Sequence, residues 1–249
     1  MYRGDIMQKT VLITGASRGI GAALATTFAE AGYQLALCCK SSGSALLALT
    51  NELKENYQTE ILTFIGDVAD YAFVSQMVTD TLKHYGRIDV LINNAGISHI
   101  GLLQDMSIDD WNHIVATNLT SVFSTCKCTI PTMVSRHSGK IINISSVWGN
   151  VGASCEVAYS ACKGAVNSFT KALGKELAPS NIQVNAIACG VIDTQMNACF
   201  DEEERNALAE EIPTGRFGRS EEVAALALQL CTGNEYLTSQ IITLDGGWT

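Results

Sequence analysis

The sequence predicts a doubly wound α/β domain, with a mostly parallel sheet of seven strands and helices on both of its faces. Short apolar, β-branched segments alternate with helical patterns at near-regular spacing along the whole chain. No linker, low-complexity tract or other internal repeat divides the 249 residues. We therefore expect residues 1–249 to form one domain, with residues 1–8 as a short N-terminal extension.

The first half of the chain supplies four of the predicted strands. They are apolar runs rich in β-branched residues, at positions 10–14, 34–39, 60–65 and 88–92. Helical patterns, in which apolar residues recur every three or four positions, separate them at 22–31, 44–57 and 72–85. Gly32 follows the first helix, where glycine tolerates the left-handed backbone that ends many helices.

The second half continues the alternation. Strands are predicted at 140–144, 182–188 and 240–244, and helices at 107–133, 156–178, 195–212 and 220–230. Asn118 lies among apolar neighbours in the longest pattern, where asparagine disfavours a regular helix and invites a bound water or a kink. Residues 201–204 are all acidic, so we expect helix 195–212 to be exposed and to lie over an opening. Ser220 and the two glutamates after it form a capping pattern for the last helix.

Composition excludes several classes of protein. Hydrophobic residues make up 47% of the chain and charged residues 16%, as in folded globular proteins. No apolar run reaches about 18 residues and the first residues lack a secretory apolar region, so we expect a cytoplasmic protein without membrane contact. The net charge of −9 disfavours a nucleic-acid partner. The nine cysteines form no C-x-x-C pair and histidine is scarce, so we expect reduced, packed thiols and no metal site.

A glycine-rich turn follows the first strand and opens the first helix. Its spacing is G-x-x-x-G-x-G rather than G-x-G-x-x-G, but the physical basis is shared. Glycines let the backbone approach a pyrophosphate, and the helix N-terminus favours its negative charge. The strand, turn and helix context therefore predicts a dinucleotide site on a Rossmann-type fold. The cofactor contacts expected from this turn are Gly15, Ser17, Arg18, Gly19, Ile20 and Gly21.

The end of the second strand bears on the choice of dinucleotide. An acidic residue there would bind a free ribose 2′-hydroxyl, and none is present. Lys40 and Ser41 follow the strand instead, and Arg18 lies in the glycine turn. Two cations and hydroxyl groups suit a 2′-phosphate, so we predict NADP(H) rather than NAD(H).

Other strand ends are expected to line the same cofactor, because ligands of such sheets bind beyond the carboxyl ends of the strands. Asp67 either accepts a hydrogen bond from the adenine amino group or caps the helix that starts near Asp70, and both roles are compatible. After the fourth strand, small residues permit a ligand to lie against the backbone, while the Asn side chains there are about equally suited to tying neighbouring strands. The further contacts expected are Val68, Asn94, Ala95, Gly96 and, after the sixth strand, Gly190.

Tyr159 and Lys163 are four residues apart in the predicted helix 156–178, so their side chains share one face. A cation within about 4–6 Å favours the phenolate and lowers the pKa of a tyrosine toward the range useful for acid–base catalysis. Ser146, thirteen residues before the tyrosine at a strand end, could hold a substrate carbonyl by a hydrogen bond. Such Tyr-x-x-x-Lys pairs also occur by chance on helix surfaces, so the prediction depends on the other motifs.

Together these motifs resemble those of the short-chain dehydrogenase/reductase family over nearly the whole chain. The matching segments are 14–21, 93–96, Asn118, Ser146, Tyr159 with Lys163, and the tail 245–247. The resemblance implies an NAD(P)-dependent oxidoreductase, a homotetramer, and a catalytic tetrad of Asn118, Ser146, Tyr159 and Lys163. Within the family the chain is most similar to the bacterial 3-oxoacyl-[acyl-carrier-protein] reductases, through Arg18, segment 212–219 and the terminal segment through Trp248.

The resemblance also implies a role for each member of the tetrad. Ser146 and Tyr159 hydrogen-bond the substrate carbonyl oxygen, and Tyr159 donates a proton while hydride passes from the nicotinamide. Lys163 binds the nicotinamide ribose and lowers the pKa of Tyr159. Asn118 holds a water that relays the replacement proton to Lys163. Tyr159 and Lys163 thus count among the cofactor contacts as well.

The loop after the sixth strand departs from the family pattern. Cys189 stands where the family usually has proline, which restores a backbone N–H and loosens φ. We still expect Ile192 and Thr194 to reach the nicotinamide carboxamide.

The substrate implied by the resemblance is a 3-oxoacyl thioester carried by an acidic carrier protein, which would need a basic docking patch. Arg136, Lys171 and Lys175 are the candidates for it, yet residues 201–204 are acidic. A steroid, sugar or other small ketone is therefore the alternative substrate, and a non-enzymatic dinucleotide sensor is a weaker one.

Overall fold

A seven-stranded sheet forms the centre of the computed structural model, which describes residues 8–197 and 200–249. The strand order is β3-β2-β1-β4-β5-β6-β7, and every neighbouring pair is parallel. The strands are β1 (Thr10–Thr14), β2 (Gln34–Cys39), β3 (Ile61–Ile65), β4 (Val90–Asn93), β5 (Gly139–Ser146), β6 (Ile182–Cys189) and β7 (Ile241–Leu244). The predicted doubly wound sheet is confirmed, and it is parallel throughout rather than mostly so.

Helices cover both faces of the sheet. They are α1 (Gly19–Glu30), α2 (Gly43–Tyr57), α3 (Tyr71–Tyr85), α4 (Ile108–Val115), α5 (Ser121–Arg136), α6 (Trp148–Val151), α7 (Val157–Leu177), α8 (Glu202–Glu211) and α9 (Ser220–Thr232). One apolar core joins α1, α2 and α9 to the sheet, and a second joins α3, α5 and α7 to the opposite face. Val11 and Ile13 enter the first core and Leu12 enters the second, as the alternation of side chains along a strand requires. Because both faces are covered, the strands are continuous apolar runs.

The longest predicted helix, 107–133, is not a single helix. A π-helical turn at Ala116–Thr120 separates α4 from α5, and Asn118 lies within it. The expected departure from regular helix at Asn118 is therefore confirmed.

The predicted acidic helix, 195–212, is also divided. Gln195–Asn197 form a short 3₁₀ turn, and α8 starts only after Asp201. Asp201 accepts a hydrogen bond from the Glu204 backbone N–H at 2.9 Å, and Glu204 accepts one from the Asp201 N–H at 3.0 Å, which makes a capping box. This cap sets the helix start that periodicity alone did not locate. None of the residues of α8 is buried, so its predicted exposure is confirmed.

The N-terminal extension predicted at residues 1–8 lies, except for Gln8, outside the described residues, and the division of residues 1–249 into a single domain stays a prediction. Among the helices in the described ranges, none combines the length and apolar character needed to cross a bilayer. The eight cysteines in the described ranges are all free, as expected for reduced thiols.

The connections from β1 to β3 run toward one edge of the sheet and those from β4 to β7 toward the other. The order reverses between β1 and β4, which are direct neighbours. In doubly wound sheets, ligands bind at such a reversal, beyond the carboxyl ends of the strands. A ligand site is therefore expected at the loops that follow β1, β4, β5 and β6.

Candidate active site

One cavity of about 1470 Å³ extends along the carboxyl ends of the strands. Every predicted site residue lines it except Asn118, which is next to the lining residue Thr117. The structure therefore brings these residues to one cavity, while the role predicted for each of them stays a prediction. No group of three or more metal-ligating side chains occurs within residues 8–197 and 200–249.

The glycine turn has the geometry of an anion cradle. Gly15 and Gly19 have φ angles of +67° and +52°, which favour glycine. A Cβ on Gly15 would lie 2.9 Å from the Cα of Ala95, so only glycine lets the turn close against the end of β4. Arg18 at the N-cap of α1 makes no capping hydrogen bond, so no N-cap side chain occupies the first backbone N–H groups of this helix. These features fit a dinucleotide pyrophosphate.

The two predicted cations, Lys40 and Arg18, both line the cavity, and each has a partner within the chain. Lys40 Nζ is 2.7 Å from Asp67 Oδ2, and Arg18 Nη1 donates to Gln195 Oε1 at 2.9 Å. Partial burial acts to raise the pKa of Asp67, but Lys40, the Ala69 backbone N–H and His113 together outweigh it, so the pKa is lowered. The alternative role for Asp67, capping the following helix, is wrong, because Asp70 accepts the capping hydrogen bond of α3.

The asparagines after β4 tie strands together, as one of the two expectations held. Asn93 Nδ2 donates to Asn143 Oδ1 at 2.8 Å and joins β4 to β5. Asn94 Nδ2 donates to the carbonyl oxygens of Thr14 and Gly15, both at 3.0 Å. Asn94 therefore holds the glycine turn in place from the neighbouring strand.

Ser146, Tyr159 and Lys163 come together on one wall of the cavity. Ser146 is the last residue of β5, and the other two lie in the first turns of α7. Lys163 is buried, its Nζ lies 5.5 Å from the centroid of the Tyr159 ring, and it donates to the Ile144 carbonyl at 2.9 Å. Ser146 Oγ accepts from the Trp148 backbone N–H at 3.2 Å, which leaves its own proton free to donate.

The charges around Tyr159 differ from the expectation. Burial raises the pKa of Tyr159, Cys189 and Glu156 act in the same direction, and Ser146 opposes them. Burial lowers the pKa of Lys163 to about 8. The prediction that Lys163 lowers the pKa of Tyr159 is thus not borne out, because desolvation dominates at both groups. Tyr159 is held in its protonated form, which is the form that a proton donor needs.

The side chain of Asn118 is tied to the backbone of Ile97, and its expected role in holding a water stays a prediction. Its Oδ1 accepts from the Ile97 N–H and its Nδ2 donates to the Ile97 carbonyl, both at 2.8 Å. Its neighbour Thr117 is buried, lines the cavity, and has a hydroxyl with no hydrogen-bond partner among the described residues. Ser121 and Thr125, farther along the helix, donate back to carbonyls four residues earlier. The sequence contains no signal for Thr117, because it does not show which of these hydroxyl groups lacks a hydrogen-bond partner.

A polar group of side chains in the cavity lining was not predicted from the sequence. Glu156 Oε2 accepts from Ser98 Oγ at 2.8 Å, and Glu156 Oε1 accepts from Trp148 Nε1 at 3.1 Å. The rings of Trp148 and Trp248 pack with centroids 4.9 Å apart. All four side chains line the cavity. The signal for Glu156 was present, because it precedes Tyr159 by three residues and such residues are neighbours on a helix.

Cys189 is the last residue of β6 and pairs in register with Ser146 and Leu244. Its carbonyl accepts from the Val147 N–H at 2.9 Å, so at this residue the chain is still part of the sheet. Burial raises the pKa of its thiol to about 12, which keeps the sulfur neutral and unreactive. Ile192 and Thr194 lie farther along this loop and line the cavity, as expected.

Arg136 does not belong to a docking patch beside the cavity. It is the last residue of α5, and its Nη2 donates to the Ile88 carbonyl at 2.6 Å, just before β4 begins. This places the guanidinium at the amino ends of the strands, opposite the cavity. Lys171 is exposed on the outside of α7.

The lid over the cavity is held by few contacts. Arg205 of α8 donates to Asp193 at 2.8 Å, and its guanidinium lies 4.7 Å from the centroid of the Phe217 ring. Residues 201–204 are exposed, so the outer surface of the lid is acidic.

Known proteins are similar to this chain in sequence and in fold. The family model described as short chain dehydrogenase matches residues 9–205. The 3-oxoacyl-[acyl-carrier-protein] reductase of Chlamydia trachomatis is 39% identical over 98% of this chain and 98% of its own length. An oxidoreductase of Bacillus subtilis named YmfI, described as uncharacterised, is 38% identical over 97% of this chain and 99% of its own length. The crystal structure of an actinorhodin polyketide ketoreductase variant with NADPH has a TM-score of 0.93, 32% identity and 97% coverage of both chains.

Proposed function

The chain belongs to the short chain dehydrogenase family of NAD(P)-dependent oxidoreductases acting on CH–OH groups, and from this premise we propose that it is an NADP(H)-dependent ketone reductase whose substrate is a 3-oxoacyl thioester. One observation carries the proposal. Ser146, Tyr159 and the buried Lys163 share a wall of the cavity that also contains the glycine turn and Lys40. Proton-donating groups and a dinucleotide cradle are thus presented to one space.

The chemistry of the site is divided between the cofactor and the protein. When bound, the reduced dinucleotide supplies the two electrons for reduction of the carbonyl carbon. Ser146 and Tyr159 donate hydrogen bonds to the carbonyl oxygen, and Tyr159 transfers its proton as negative charge develops there. The raised pKa of Tyr159 keeps this proton in place until then. Lys163, with a pKa near 8, can release and regain a proton near neutral pH, and it returns a proton to Tyr159 after the transfer.

The same site supports the choice of NADP(H). Lys40 follows β2, where the adenosine ribose is expected, Arg18 lines the same cavity, and no acidic residue follows β2 directly. A 2′-phosphate would compete with Asp67 for Lys40 and with Gln195 for Arg18. The actinorhodin polyketide ketoreductase variant, whose crystal structure contains NADPH, has the same fold at 32% identity, which supports the choice of NADP(H).

The relatives named as 3-oxoacyl-[acyl-carrier-protein] reductases support the thioester. One observation favours the second candidate, a steroid, sugar or other small free ketone. The exposed lid is acidic at 201–204 and Arg136 lies away from the cavity, so docking of an acidic carrier protein has little basic surface to use.

We also propose a homotetramer located in the cytoplasm. Ile108 and Phe123, on α4 and α5, are 74% and 48% exposed, and such apolar side chains favour association between chains. Gel filtration is expected to show about four times the 26.6 kDa mass of one chain. Elution as a monomer would reject this part of the proposal.

The function is tested by the decay of NADPH absorbance with a short 3-oxoacyl thioester, beside a panel of free ketones and steroids. We expect the thioester to give the highest kcat/KM. Turnover of only a free ketone would keep the reaction and change the substrate. No turnover with any ketone, together with measurable NADPH binding, would contradict the enzymatic proposal and favour a dinucleotide sensor.

A further inference from the structure

Glu156 places a negative charge beside the reacting group. It occupies the N-cap position of α7, three residues before Tyr159, and lines the same cavity. Residues three apart on a helix are neighbours. The carboxylate also acts on Tyr159 electrostatically, in the direction that favours the protonated phenol.

The carboxylate is fixed in orientation. Ser98 donates to one oxygen at 2.8 Å and Trp148 donates to the other at 3.1 Å. Trp148 is itself packed against Trp248, so the indole that holds Glu156 has little freedom. A carboxylate has about four acceptor positions, so two of them remain for a ligand in the cavity.

The charge of Glu156 has no cationic partner. None of the salt bridges within residues 8–197 and 200–249 includes it. Both of its donors are neutral, and the N-terminus of α7 favours a negative charge at this position. The lining of the cavity therefore contains a carboxylate that has no cationic side chain as a partner within the described ranges.

We propose that Glu156 selects substrates by charge: it disfavours ketones that carry a carboxylate close to the reacting carbonyl relative to neutral ketones. This inference rests on the proposed reduction of a ketone and adds a substrate class to it. A thioester or ester of a 3-oxo acid satisfies the selection, and the corresponding free acid does not. Like charges a few ångströms apart in a partly buried site repel strongly enough to change kcat/KM by about 10- to 100-fold.

The test compares one acyl group in two charge states. The substrates are the acetoacetyl thioester of N-acetylcysteamine, which is neutral, and acetoacetate, the free 3-oxo acid. The Glu156→Gln variant keeps the shape and one acceptor while it removes the charge. We expect the ratio of kcat/KM for thioester over acid to fall by about 10- to 100-fold in this variant, mainly through a lower KM for the acid.

Matched variants separate charge selection from other effects. Glu211 is an exposed carboxylate of α8 that lines the same cavity, so Glu211→Gln removes one charge elsewhere. Ser98→Ala removes one donor to Glu156 and keeps its charge. We expect both to leave the ratio within about threefold of wild type. Glu156→Ala provides a second test if the glutamine variant does not fold.

Two outcomes would overturn the inference: an unchanged ratio in both Glu156 variants, or an equal change in Glu211→Gln. If no ketone is reduced at all, the proposed function fails while the charge selection is still measurable. Binding of 3-hydroxybutyrate by calorimetry would then be about tenfold tighter in Glu156→Gln than in wild type. Equal or weaker binding would overturn the inference independently of turnover.

Discussion

The catalytic wall and the lid are built in opposite ways. Ser146 and Lys163 are 7% and 5% exposed and are held by the end of β5 and the first turns of α7. The lid helix α8 has no buried residue, and its charged tethers to the β6 loop and the region before α9 come from one side chain, Arg205. Groups that must be placed accurately lie on rigid elements, whereas a weakly packed segment covers the opening. The comparison indicates that the wall sets the chemistry and that the lid is free to adapt to the substrate.

The largest effect that would sharpen this contrast comes from Ser146→Ala. The variant removes a hydroxyl that is free to donate to the substrate oxygen, and we expect kcat to fall by about 10²–10³-fold. Ser145→Ala is the matched control, because that hydroxyl donates to Asn167 at 2.6 Å instead. Steady-state kinetics on both variants makes the measurement. A loss of kcat in the control as large as that in Ser146→Ala would show that the strand end, not the hydroxyl, matters.

The second effect concerns stability and pH. The pKa of Lys163 is about 8 in the folded chain against an ordinary lysine pKa of 10.5, so its burial penalty is complete below pH 8 and is relieved as pH rises toward 10.5. The shift corresponds to about 3 kcal/mol. Lys163→Met has no such penalty, so the stability of wild type relative to this variant should rise between pH 7 and pH 10.

Urea denaturation at both pH values measures this difference. Lys171→Met, which removes an exposed lysine from the same helix, controls for the loss of a cation. A difference between wild type and Lys163→Met that stays constant with pH would contradict the assigned burial of the charge.

A smaller effect is expected at the adenosine end of the cavity. Lys40→Ala removes a cation that would attract a phosphate. It also leaves the Asp67 carboxylate without its partner at 2.7 Å, so this carboxylate would repel the phosphate. We expect the KM for NADPH to rise by about tenfold, because one charged contact to the 2′-phosphate is lost. The KM for NADH should change little, because NADH lacks this phosphate. Lys54→Ala, on α2 outside the cavity, is the control. Equal effects on the two cofactors would exclude a role for Lys40 at the 2′-phosphate.

The smallest effect is expected in the lid. The Arg205–Asp193 pair is partly exposed, so Arg205→Gln should cost less than about 1 kcal/mol of global stability. It should nevertheless raise hydrogen exchange in α8 several-fold, because this helix has few other contacts. Glu210→Gln on the same helix provides the comparison. Unchanged exchange in Arg205→Gln would show that other contacts hold the lid.

Two strands that are apolar and end at glycine or polar residues were predicted with the correct bounds. Thr10–Thr14 and Gln34–Cys39 match their predicted bounds, because apolar runs there end at glycine or polar residues. The start of β4 was predicted two residues too early, at 88 instead of Val90. Asp89, just before the strand, is buried and accepts hydrogen bonds from the Thr10 N–H and from Arg87. The contact with Thr10 joins residues 79 positions apart, and it has no periodic signature in the sequence.

The site was predicted as far as strand ends determine it. The loops after the parallel strands converge by topology, so Ser146, Tyr159 and the glycine turn could be assigned to one cavity. The partners of Glu156 could not, because Ser98 reaches it only after the loop around Gly101 is tied to Cys155 by a backbone hydrogen bond at 2.8 Å. The pKa of Tyr159 was misjudged for a related reason, since burial is a property of the whole fold and spacing on one helix shows only the nearest charge.

The central claim is that Tyr159 donates the proton from a preformed wall, and Tyr159→Phe tests it most directly. The variant keeps the ring beside Lys163 and removes only the hydroxyl. Binding of NADPH, followed by fluorescence, should stay within about threefold of wild type, while turnover of the best ketone substrate falls by about 10²–10⁴-fold. Turnover near that of wild type in Tyr159→Phe would contradict the account.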